Sequence, residues 1–236
     1  MPGSPNSVHG KMHMAVPSAV TIHDFYRNHV KRPVDVAVSA LSLCACAPIL
    51  ILAGILILIE TPGLPIFRQQ RIGKDGKPFD IYKLRTMNAG SDQKGFKTDR
   101  SDPRVTRLGK FLRETKIDEL PQLLNILRGE MSLIGPRPLS VEESNHVIDE
   151  LGYNSQHPGF IPKVRPGCTG LEQIYRIHPL VYAERFQWNA YYESKVSLLV
   201  DLKVICATVL MCRVLCYAAI FGGIVELAWL ASLLIR

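Results

Sequence analysis

The stretch VAVSALSLCACAPILILAGILILI, residues 36–59, decides the architecture of this chain, because it is apolar apart from two serines. At about 1.5 Å of helical rise per residue, it is long enough to cross a hydrocarbon core of roughly 30 Å. The simplest prediction is therefore a single helix that spans a membrane.

Two features of this stretch favour a different topology. The basic residues that flank it are Arg27, Lys31 and Arg32 on one side and Arg68, Arg71, Lys74 and Lys77 on the other. Because basic residues mark the cytoplasmic flank of a membrane segment, both ends are expected on the same side. Pro48, near the middle, blocks a helical hydrogen bond and bends the axis. We therefore predict a re-entrant membrane helix over residues 31–60 that breaks at Pro48, with the straight span as the alternative.

Asp35 stands at the start of this segment, where a carboxylate at interfacial depth is costly unless it is paired. We predict that it forms an ion pair with Lys31 or Arg32 and so anchors the end of the helix.

The two ends of the chain differ in composition. Residues 1–30 lack the apolar core of a secretory signal, and we predict a flexible N-terminal tail and an interfacial lead-in there. Residues 204–236 form an apolar, membrane-associated segment, of which residues 214–235 are long enough to span a bilayer. Either a second membrane segment or an amphipathic helix in the interface is expected.

The overall composition limits the function classes. The chain has 236 residues, of which 47% are hydrophobic and 21% charged, so extensive disorder is not expected. The net charge of +7 suggests nucleic acid, anionic lipid or phosphorylated substrates as partners. We expect no nucleic-acid partner, because no recognition motif occurs. The six cysteines include no C-x-x-C pair, which argues against a zinc site.

Residues 61–203 have the pattern of a small catalytic domain. Two short stretches, residues 66–71 and 79–83, surround a glycine-containing turn and predict a β-hairpin. Apolar residues at helical spacing predict helices over 105–112 and 120–127. The predicted fold class is α+β and mostly helical, with a membrane-embedded re-entrant helix joined to a cytoplasmic catalytic domain that contains a short β-hairpin.

The segment RETKIDELP, residues 113–121, lies between these two helices and carries the main chemical candidates. Proline is tolerated in the first turn of a helix, so Pro121 predicts a helix that begins near Asp118. The Asp118 carboxylate would then lie at the positive end of the helix dipole, which also attracts phosphate. A structural role is the alternative, because Asp is a favoured N-cap and Thr115 with Asp118 resembles a capping box.

Several arginines accompany this acidic segment, namely Arg85, Arg104, Arg107, Arg113, Arg137 and Arg165. Arg137 and Arg165 stand in the proline-containing turns GPRP (135–138) and KVRPG (163–167), where proline restricts the backbone and fixes the direction of the side chain. Arginine binds phosphate through two parallel hydrogen bonds. Together with an acidic pair, these residues indicate a diphosphate-binding site.

Ordered motifs along residues 31–203 resemble one enzyme family. The motifs are KRxxD (31–35), QRxG (70–73), YKxRTM (82–87), DPRxT (102–106), GKFLR (109–113), DELPQL (118–123), GEMSLxGPRP (129–138) and RPGxTG (165–170). They resemble the bacterial sugar transferases known as small monotopic polyprenyl-phosphate phosphoglycosyl transferases, also called undecaprenyl-phosphate hexose-1-phosphate transferases.

The resemblance implies a mechanism and a set of site residues. The Asp118 carboxylate would attack the sugar-bearing phosphorus of a UDP-sugar, with Glu119 completing the catalytic pair. UMP would leave, and undecaprenyl phosphate would take the phosphosugar from an aspartyl-phosphosugar intermediate in a ping-pong reaction. Mg²⁺ is the implied cofactor, with Asp118 and Glu119 as its candidate ligands. The candidate phosphate-binding residues are Arg113, Arg137, Arg165 and Arg85.

The same resemblance implies partners and a location. The expected partners are a UDP-sugar donor, undecaprenyl phosphate, membrane lipid and a second copy of the chain in a homodimer. The expected location is the bacterial inner (cytoplasmic) membrane with the catalytic domain facing the cytoplasm, and the expected role is to initiate exopolysaccharide, O-antigen or other glycan biosynthesis. The sequence departs from the family pattern at Ala47, where a serine is common, and in the long apolar stretch beyond Lys203. It departs most over residues 173–188, which form either a surface connection or a sugar-selecting segment.

Two other functions remain open on the sequence. A membrane glycosyltransferase would move only the sugar and release UDP, but metal-dependent members usually carry an Asp-x-Asp motif, which this chain lacks. A non-catalytic membrane scaffold of polysaccharide assembly could keep the fold but would not need Asp118 beside Glu119. Identification of the released nucleotide separates the two enzymes.

Overall fold

The computed structural model describes residues 22–88, 90–91, 102–154, 156–175 and 181–221. The helices are α1 (Ile22–Phe25), α2 (Lys31–Glu60), α3 (Arg107–Thr115), α4 (Gln122–Arg128), α5 (Val141–Asp149), α6 (Leu171–Ile174), α7 (Tyr182–Lys195) and α8 (Leu198–Phe221). The strands are β1 (Ile66–Ile72), β2 (Pro78–Leu84), β3 (Ser132–Ile134) and β4 (Gly167–Thr169). The predicted mostly helical α+β class with small sheets is confirmed.

Short helical turns also occur among the described residues, including a π-helical turn over Tyr26–Val30 and 3-10 turns over Lys74–Gly76 and Ile117–Glu119. The predicted lead-in before residue 31 is therefore helical from residue 22. Residues 1–21 of the predicted tail and residues 222–236 of the predicted C-terminal segment lie outside the described residues.

The predicted β-hairpin is confirmed. Strands β1 and β2 pair antiparallel along their whole length, from Ile66 opposite Leu84 to Ile72 opposite Pro78. Leu84 packs on α2 and α3, while Ile81 packs on α4. The hairpin thus forms a layer that supports the segment between α3 and α4.

A second, parallel sheet brings two proline-containing loops together. Strands β3 and β4 pair so that Ser132 lies opposite Gly167. Glycine is required at this crossing, because a Cβ atom added to Gly167 would lie 2.1 Å from the backbone nitrogen of Gly135. The close approach fixes the start of the loop that carries Arg137.

Helix α2 is continuous through Pro48, which corrects the expected break into two helices. Proline removes the hydrogen bond that its own nitrogen would donate, but the rest of this 30-residue helix keeps its helical backbone. By length and composition, the segment Tyr26–Glu60 could cross a membrane, and it is the one such segment among the described residues.

Both ends of α2 contact the same catalytic domain. Near its start, Arg32 donates hydrogen bonds to the carbonyls of Ile126 at 2.6 Å and Leu127 at 3.2 Å, at the end of α4. At its C-terminal end, the Glu60 carboxylate accepts a hydrogen bond from the backbone N–H of Leu108 at 3.1 Å. Between these contacts, Ala53 is buried against the domain, while most of the opposite face of α2 is exposed.

The predicted ion pair of Asp35 with Lys31 or Arg32 is wrong. Asp35 is buried, and its carboxylate accepts hydrogen bonds from the Ser132 hydroxyl at 2.7 Å and the Leu133 N–H at 3.2 Å. Lys31 pairs instead with Asp201 of α8 at 2.5 Å. The packing of α2 against β3 and α8 therefore replaces a local pair with two contacts that are distant in sequence.

Helix α8 begins as part of the core and continues as an apolar helix. Val204 is buried and packs with Tyr192, Val196 and Ile174. On the other face, side chains such as Leu199 are exposed. The predicted C-terminal apolar segment thus starts within a helix that is anchored to α6 and α7.

Candidate active site

The turn between α3 and α4 carries the acidic pair. Lys116 adopts a left-handed conformation with φ of 61°, which ends α3, and Ile117–Glu119 then form a 3-10 turn. Helix α4 begins at Gln122 with Pro121 at the cap position, so the prediction that it begins near Asp118 is wrong. Because the backbone changes direction at Lys116, Asp118 and Glu119 lie in a separate turn between the end of α3 and the start of α4.

The alternative prediction, in which Asp118 caps a helix, is also wrong. No side-chain cap hydrogen bond is made at the start of the 3-10 turn or of α4. The Thr115 hydroxyl donates instead to the carbonyl of Phe111 at 2.8 Å. Asp118 is 6% exposed, and its Oδ1 atom has no hydrogen-bond partner among the described residues. A buried carboxylate oxygen is therefore left available.

Glu119 has a cationic partner that the sequence interpretation did not assign to the site. The Lys83 ammonium donates a hydrogen bond to Glu119 Oε1 at 2.9 Å, and both side chains are largely buried. Lys83 shares one face of β2 with Phe79 and Ile81, which pack in the core. The sequence does contain an indication of this role, because the alternation of the strand places Lys83 at a core-facing position, where a lysine is unusual.

The two adjacent carboxylates are shifted in opposite directions. Burial, followed by the charge of Glu119, raises the pKa of Asp118. Burial also acts to raise the pKa of Glu119, but Lys83, Arg137 and Lys116 outweigh it and lower that pKa to about 2. Glu119 is therefore a firmly ionised partner, while Asp118 is a poorly solvated carboxylate. Such a difference between neighbouring acids is typical of sites that divide chemical roles.

Two of the predicted phosphate ligands lie at this site. Arg113 is half-buried within electrostatic range of Asp118, and its Nε atom donates a hydrogen bond to the Thr86 hydroxyl at 2.8 Å. Arg137 lies within electrostatic range of Glu119 and Lys83. The structure thus brings two guanidinium groups, in addition to the ammonium groups of Lys83 and Lys116, near the acidic pair.

The other two predicted phosphate ligands are engaged elsewhere. Arg85 donates hydrogen bonds to the carbonyls of Pro62 at 2.7 Å and Thr61 at 2.8 Å, and so holds the turn that follows α2. Arg165 donates to the carbonyl of Gly129 at 2.8 Å, at the far end of α4. In the structure, both side chains therefore make backbone contacts away from the acidic pair, and their role as phosphate ligands stays a prediction.

An apolar groove of about 340 Å³ runs beside α2. Its lining residues are Leu43, Leu50, Ile51, Gly54, Ile55, Leu58, Pro65, Ile66, Leu84, Pro121 and Leu124. The lining reaches the acidic turn at Pro121, three residues after Asp118. A polar reaction centre and an apolar groove therefore meet at the start of α4.

The acidic pair supplies two candidate metal ligands. Within the part of the chain that the structure describes, no group of three or more His, Cys, Asp or Glu side chains could hold a metal ion. Mg²⁺, however, is commonly bound through one or two carboxylates together with substrate phosphates. The free Oδ1 atom of Asp118 fits that arrangement.

The segment over residues 173–188 is structured on both sides of residues 176–180, which lie outside the described residues. Tyr175 stacks on Trp188 with ring centroids 4.2 Å apart, at the surface. Arg185, about one turn before Trp188 on α7, is buried and forms ion pairs with Glu172 and Glu143. The segment thus joins a surface aromatic pair to a buried ionic cluster.

Comparisons with known proteins identify the relatives of this chain. Residues 26–214 match the family described as bacterial sugar transferase. A UDP-glucose:undecaprenyl-phosphate glucose-1-phosphate transferase of Caulobacter vibrioides is 41% identical over 187 residues, which cover 76% of this chain and 68% of that protein. An exopolysaccharide production protein of Sinorhizobium fredii is 37% identical over 195 residues, covering 76% of this chain and 83% of the relative.

A third relative carries a different sugar in its name. It is a UDP-N-acetylgalactosamine-undecaprenyl-phosphate N-acetylgalactosaminephosphotransferase of Aeromonas hydrophila, 35% identical over 187 residues, covering 76% of this chain and 43% of the relative. Similarity at this level is therefore compatible with more than one transferred sugar.

Proposed function

The chain belongs to the bacterial sugar transferase family, and from that premise we propose that it transfers a sugar 1-phosphate from a UDP-sugar to undecaprenyl phosphate and releases UMP. It is an enzyme of the sugar-1-phosphate transferase class. We further propose that it acts by a ping-pong mechanism through an intermediate on Asp118, and that its product initiates the assembly of an exopolysaccharide or a related glycan.

The observation that carries this proposal is the buried, unpartnered oxygen of Asp118 beside the ion pair of Glu119 and Lys83. A carboxylate that lacks hydrogen-bond donors and is poorly solvated is a better nucleophile than one in water. The Glu119 carboxylate is already paired with Lys83, so Asp118 is the acid whose oxygen is free to attack phosphorus. Asp118 is accordingly the nucleophile, and Glu119 with Lys83 orients the site.

The proposed reaction has two balanced steps. In the first, Asp118 Oδ1 forms a bond to the sugar-bearing phosphorus of the donor, and the bond from that phosphorus to UMP breaks, so UMP leaves with the bonding electrons. In the second, a phosphate oxygen of undecaprenyl phosphate attacks the same phosphorus, and the bond to Asp118 breaks. The carboxylate is regenerated, and neither step requires a net proton transfer.

Cationic side chains supply the charge that these steps need. Phosphoryl transfer depends mainly on positioning and on neutralisation of the phosphate charge. Arg113 and Arg137 would bind the donor diphosphate, because both lie within electrostatic range of the acidic pair. Lys83 keeps Glu119 ionised and lies close enough to share the charge of the transferred phosphate.

A magnesium ion is proposed at the same place. Asp118 and Glu119 are the residues that would hold it together with the donor phosphates, since Mg²⁺ is commonly bound through one or two carboxylates and substrate phosphates. The bound ion would neutralise phosphate charge during transfer. Loss of turnover in EDTA, restored by added Mg²⁺, is the expected result; turnover that is unaffected by EDTA would contradict the metal requirement.

The apolar groove beside α2 is the proposed site for the first isoprene units of the acceptor. Its lining is entirely apolar and ends at Pro121, next to the reaction centre. Burial of a hydrocarbon chain there would present its phosphate at the acidic turn. Leu124→Asn should therefore raise the KM for undecaprenyl phosphate and leave the KM for the UDP-sugar unchanged; equal effects on both would argue against this assignment.

Membrane attachment through α2, with both of its ends on the cytoplasmic side, is also proposed. Arg32 and Glu60, near opposite ends of the helix, both contact the catalytic domain. Because one domain lies on one side of a membrane, these contacts favour both ends of the continuous helix on the same side over a straight span. Impermeant thiol reagents should label single cysteines at residues 33 and 60 from the same side, and labelling from opposite sides would exclude it.

Product analysis tests the proposed chemistry. Incubation of the purified protein with a panel of UDP-sugars, undecaprenyl phosphate and Mg²⁺ should release UMP. Release of UDP would identify a glycosyltransferase instead. In the absence of acceptor, a labelled phosphosugar should become attached to Asp118, as detected by mass spectrometry. Lipid product without any such adduct under rapid quenching would exclude the covalent route.

A further inference from the structure

A buried chain of four charged side chains lies outside the reaction centre. Arg185 of α7, which is 3% exposed, pairs with Glu172 at 3.3 Å and with Glu143 at 2.7 Å. Glu143 in turn lies 3.9 Å from a guanidinium nitrogen of Arg71 on β1. The chain therefore connects α6 and α7, through α5, to the hairpin.

The chain ends on the backbone of the loop that carries Arg137. The Nη1 atom of Arg71 donates a hydrogen bond to the carbonyl of Pro138 at 3.1 Å. The neighbouring N–H of Ile72 donates to the carbonyl of Leu139 at 2.8 Å. On the other side of Arg137, the N–H of Gly167 donates to the carbonyl of Pro136 at 2.9 Å. The residues on both sides of Arg137 are thus fixed to neighbouring elements.

Stability alone gives a weak reason for this arrangement. Removal of charges from water costs several kcal/mol per ion, so a buried ionic chain is often no more stable than a packed apolar core. Two arginines and two glutamates balance each other, and the chain therefore adds little net charge next to Arg137. It has the properties of a rigid and electrically neutral support.

We propose that Arg71 and Glu143 are positioning residues, which hold the loop over residues 136–140 so that the Arg137 guanidinium is directed at the diphosphate of the donor. The inference rests on the proposed function, because it takes a nucleoside diphosphate as the ligand. In this proposal Arg71 and Glu143 act through Arg137, because Arg71 is hydrogen-bonded to the backbone of the loop that carries Arg137. A displacement of about 1 Å in a positioning group can cost roughly 100-fold in rate or binding.

The test measures binding of UDP, the part that all UDP-sugars share, to full-length protein in detergent by calorimetry. Asp118→Asn serves as the parent, so that no turnover occurs. In that parent, Glu143→Gln should weaken UDP binding by roughly 10- to 100-fold. Glu142→Gln is the matched control, because Glu142 is the exposed neighbour on the same helix, and it should bind UDP as the parent does.

A double-mutant cycle separates positioning from a general loss of structure. Arg137→Gln should weaken UDP binding, and Glu143→Gln should then add little in the Arg137→Gln background. An equal effect of Glu143→Gln in both backgrounds would overturn the proposal, as would unchanged UDP binding in either single variant. A purely structural role predicts a smaller folded fraction with unaltered affinity of the folded molecules.

A second variant and the choice of UDP as the ligand make the test decisive. If Glu143→Gln does not fold, Arg71→Lys tests the same connection, because it keeps the charge and removes the forked hydrogen bonds. UDP binding is independent of the nucleotide that the active enzyme releases. Release of UDP by the unmodified enzyme would thus refute the proposed phosphosugar transfer. The positioning proposal would still be decided by the UDP-binding measurements.

Discussion

Asp118 and Asp201 are both buried, with 6% and 3% of their surface exposed, yet their surroundings differ. Asp201 accepts hydrogen bonds from the hydroxyls of Tyr26 at 2.7 Å and Tyr192 at 2.8 Å, and it pairs with Lys31 at 2.5 Å. Asp118 keeps its Oδ1 atom without a partner among the described residues. One carboxylate joins three helical elements, and the other has an oxygen available for a substrate.

The comparison shows that the presence of hydrogen-bond partners, more than burial, distinguishes a carboxylate with a structural role from one with a catalytic role. A buried polar group without a partner costs roughly 1–3 kcal/mol, and more when it is charged. Few such groups occur in folded proteins, so each one needs an explanation. For Asp118, the proposed explanation is the phosphorus that it attacks.

The largest expected effect is the loss of turnover in Asp118→Asn. An amide cannot form the acyl phosphate, so transfer of sugar phosphate to lipid should fall by on the order of 10⁴-fold or more. The melting temperature should not fall, because the substitution removes a buried charge that lacks a full set of donors. Labelled lipid product and thermal unfolding in detergent measure the two effects.

Asp149→Asn, at an exposed position of α5, is the matched control and should leave both quantities unchanged. Turnover by Asp118→Asn within a factor of ten of the unmodified enzyme would remove Asp118 from the nucleophile role.

The second effect, in order of size, concerns stability. Asp201→Asn leaves Lys31 without its carboxylate partner and weakens two tyrosine hydrogen bonds, so the free energy of unfolding should fall by about 3–5 kcal/mol. Transfer per folded molecule should remain close to that of the unmodified enzyme. Denaturant unfolding, combined with activity normalised to the folded fraction, measures this. A variant that unfolds normally but is inactive would erase the distinction between the two aspartates.

The sequence carries more information about the role of Asp118 than about that of Asp201. Asp118 lies in a segment with a local pattern, namely an acidic pair followed by Leu-Pro between two helical stretches. Asp201 has no such pattern, because Tyr26 and Lys31 lie 175 and 170 residues away in the chain. Contacts of that kind depend on how α8 packs against the start of α2, which local periodicity does not specify.

The same limit explains the error at Asp35 and the different positions of the predicted arginines. Neighbouring charges suggested a local pair for Asp35, but its partners, Ser132 and Leu133, come from β3. Arg113 and Arg165 both stand in motif-like segments, and only the fold places one beside Asp118 and the other at the far end of α4. The hairpin and the helical class, which depend on periodicity, were predicted correctly.

The third prediction converts Glu119 from a paired acid into an unpaired one. Lys83→Met removes the ammonium that lies 2.9 Å from Glu119 and should lower kcat/KM for the UDP-sugar by roughly 100-fold, since one charge-stabilising donor is lost. Lys110→Met, at an exposed position of α3, should have no effect. Steady-state kinetics with both variants measures the difference. Equal kinetics for the two would mean that the pair of Glu119 and Lys83 takes no part in the reaction.

The smallest effect is a shift in pH dependence. Burial and then Glu119 raise the pKa of Asp118 above its ordinary value of 3.8, while Lys83 opposes them. The ionised carboxylate is the nucleophile, so kcat/KM should fall as the pH falls through this raised pKa. Because Lys83→Met removes a cation that stabilises the ionised form, the acid limb of its profile should lie at higher pH than in the unmodified enzyme. Lys110→Met should leave the limb in place. If the acid limb lies at the same pH in all three proteins, a group other than Asp118 sets its position. The contrast between the unpartnered carboxylate of Asp118 and the hydrogen-bonded carboxylate of Asp201 would then rest on the Asp118→Asn and Asp201→Asn results.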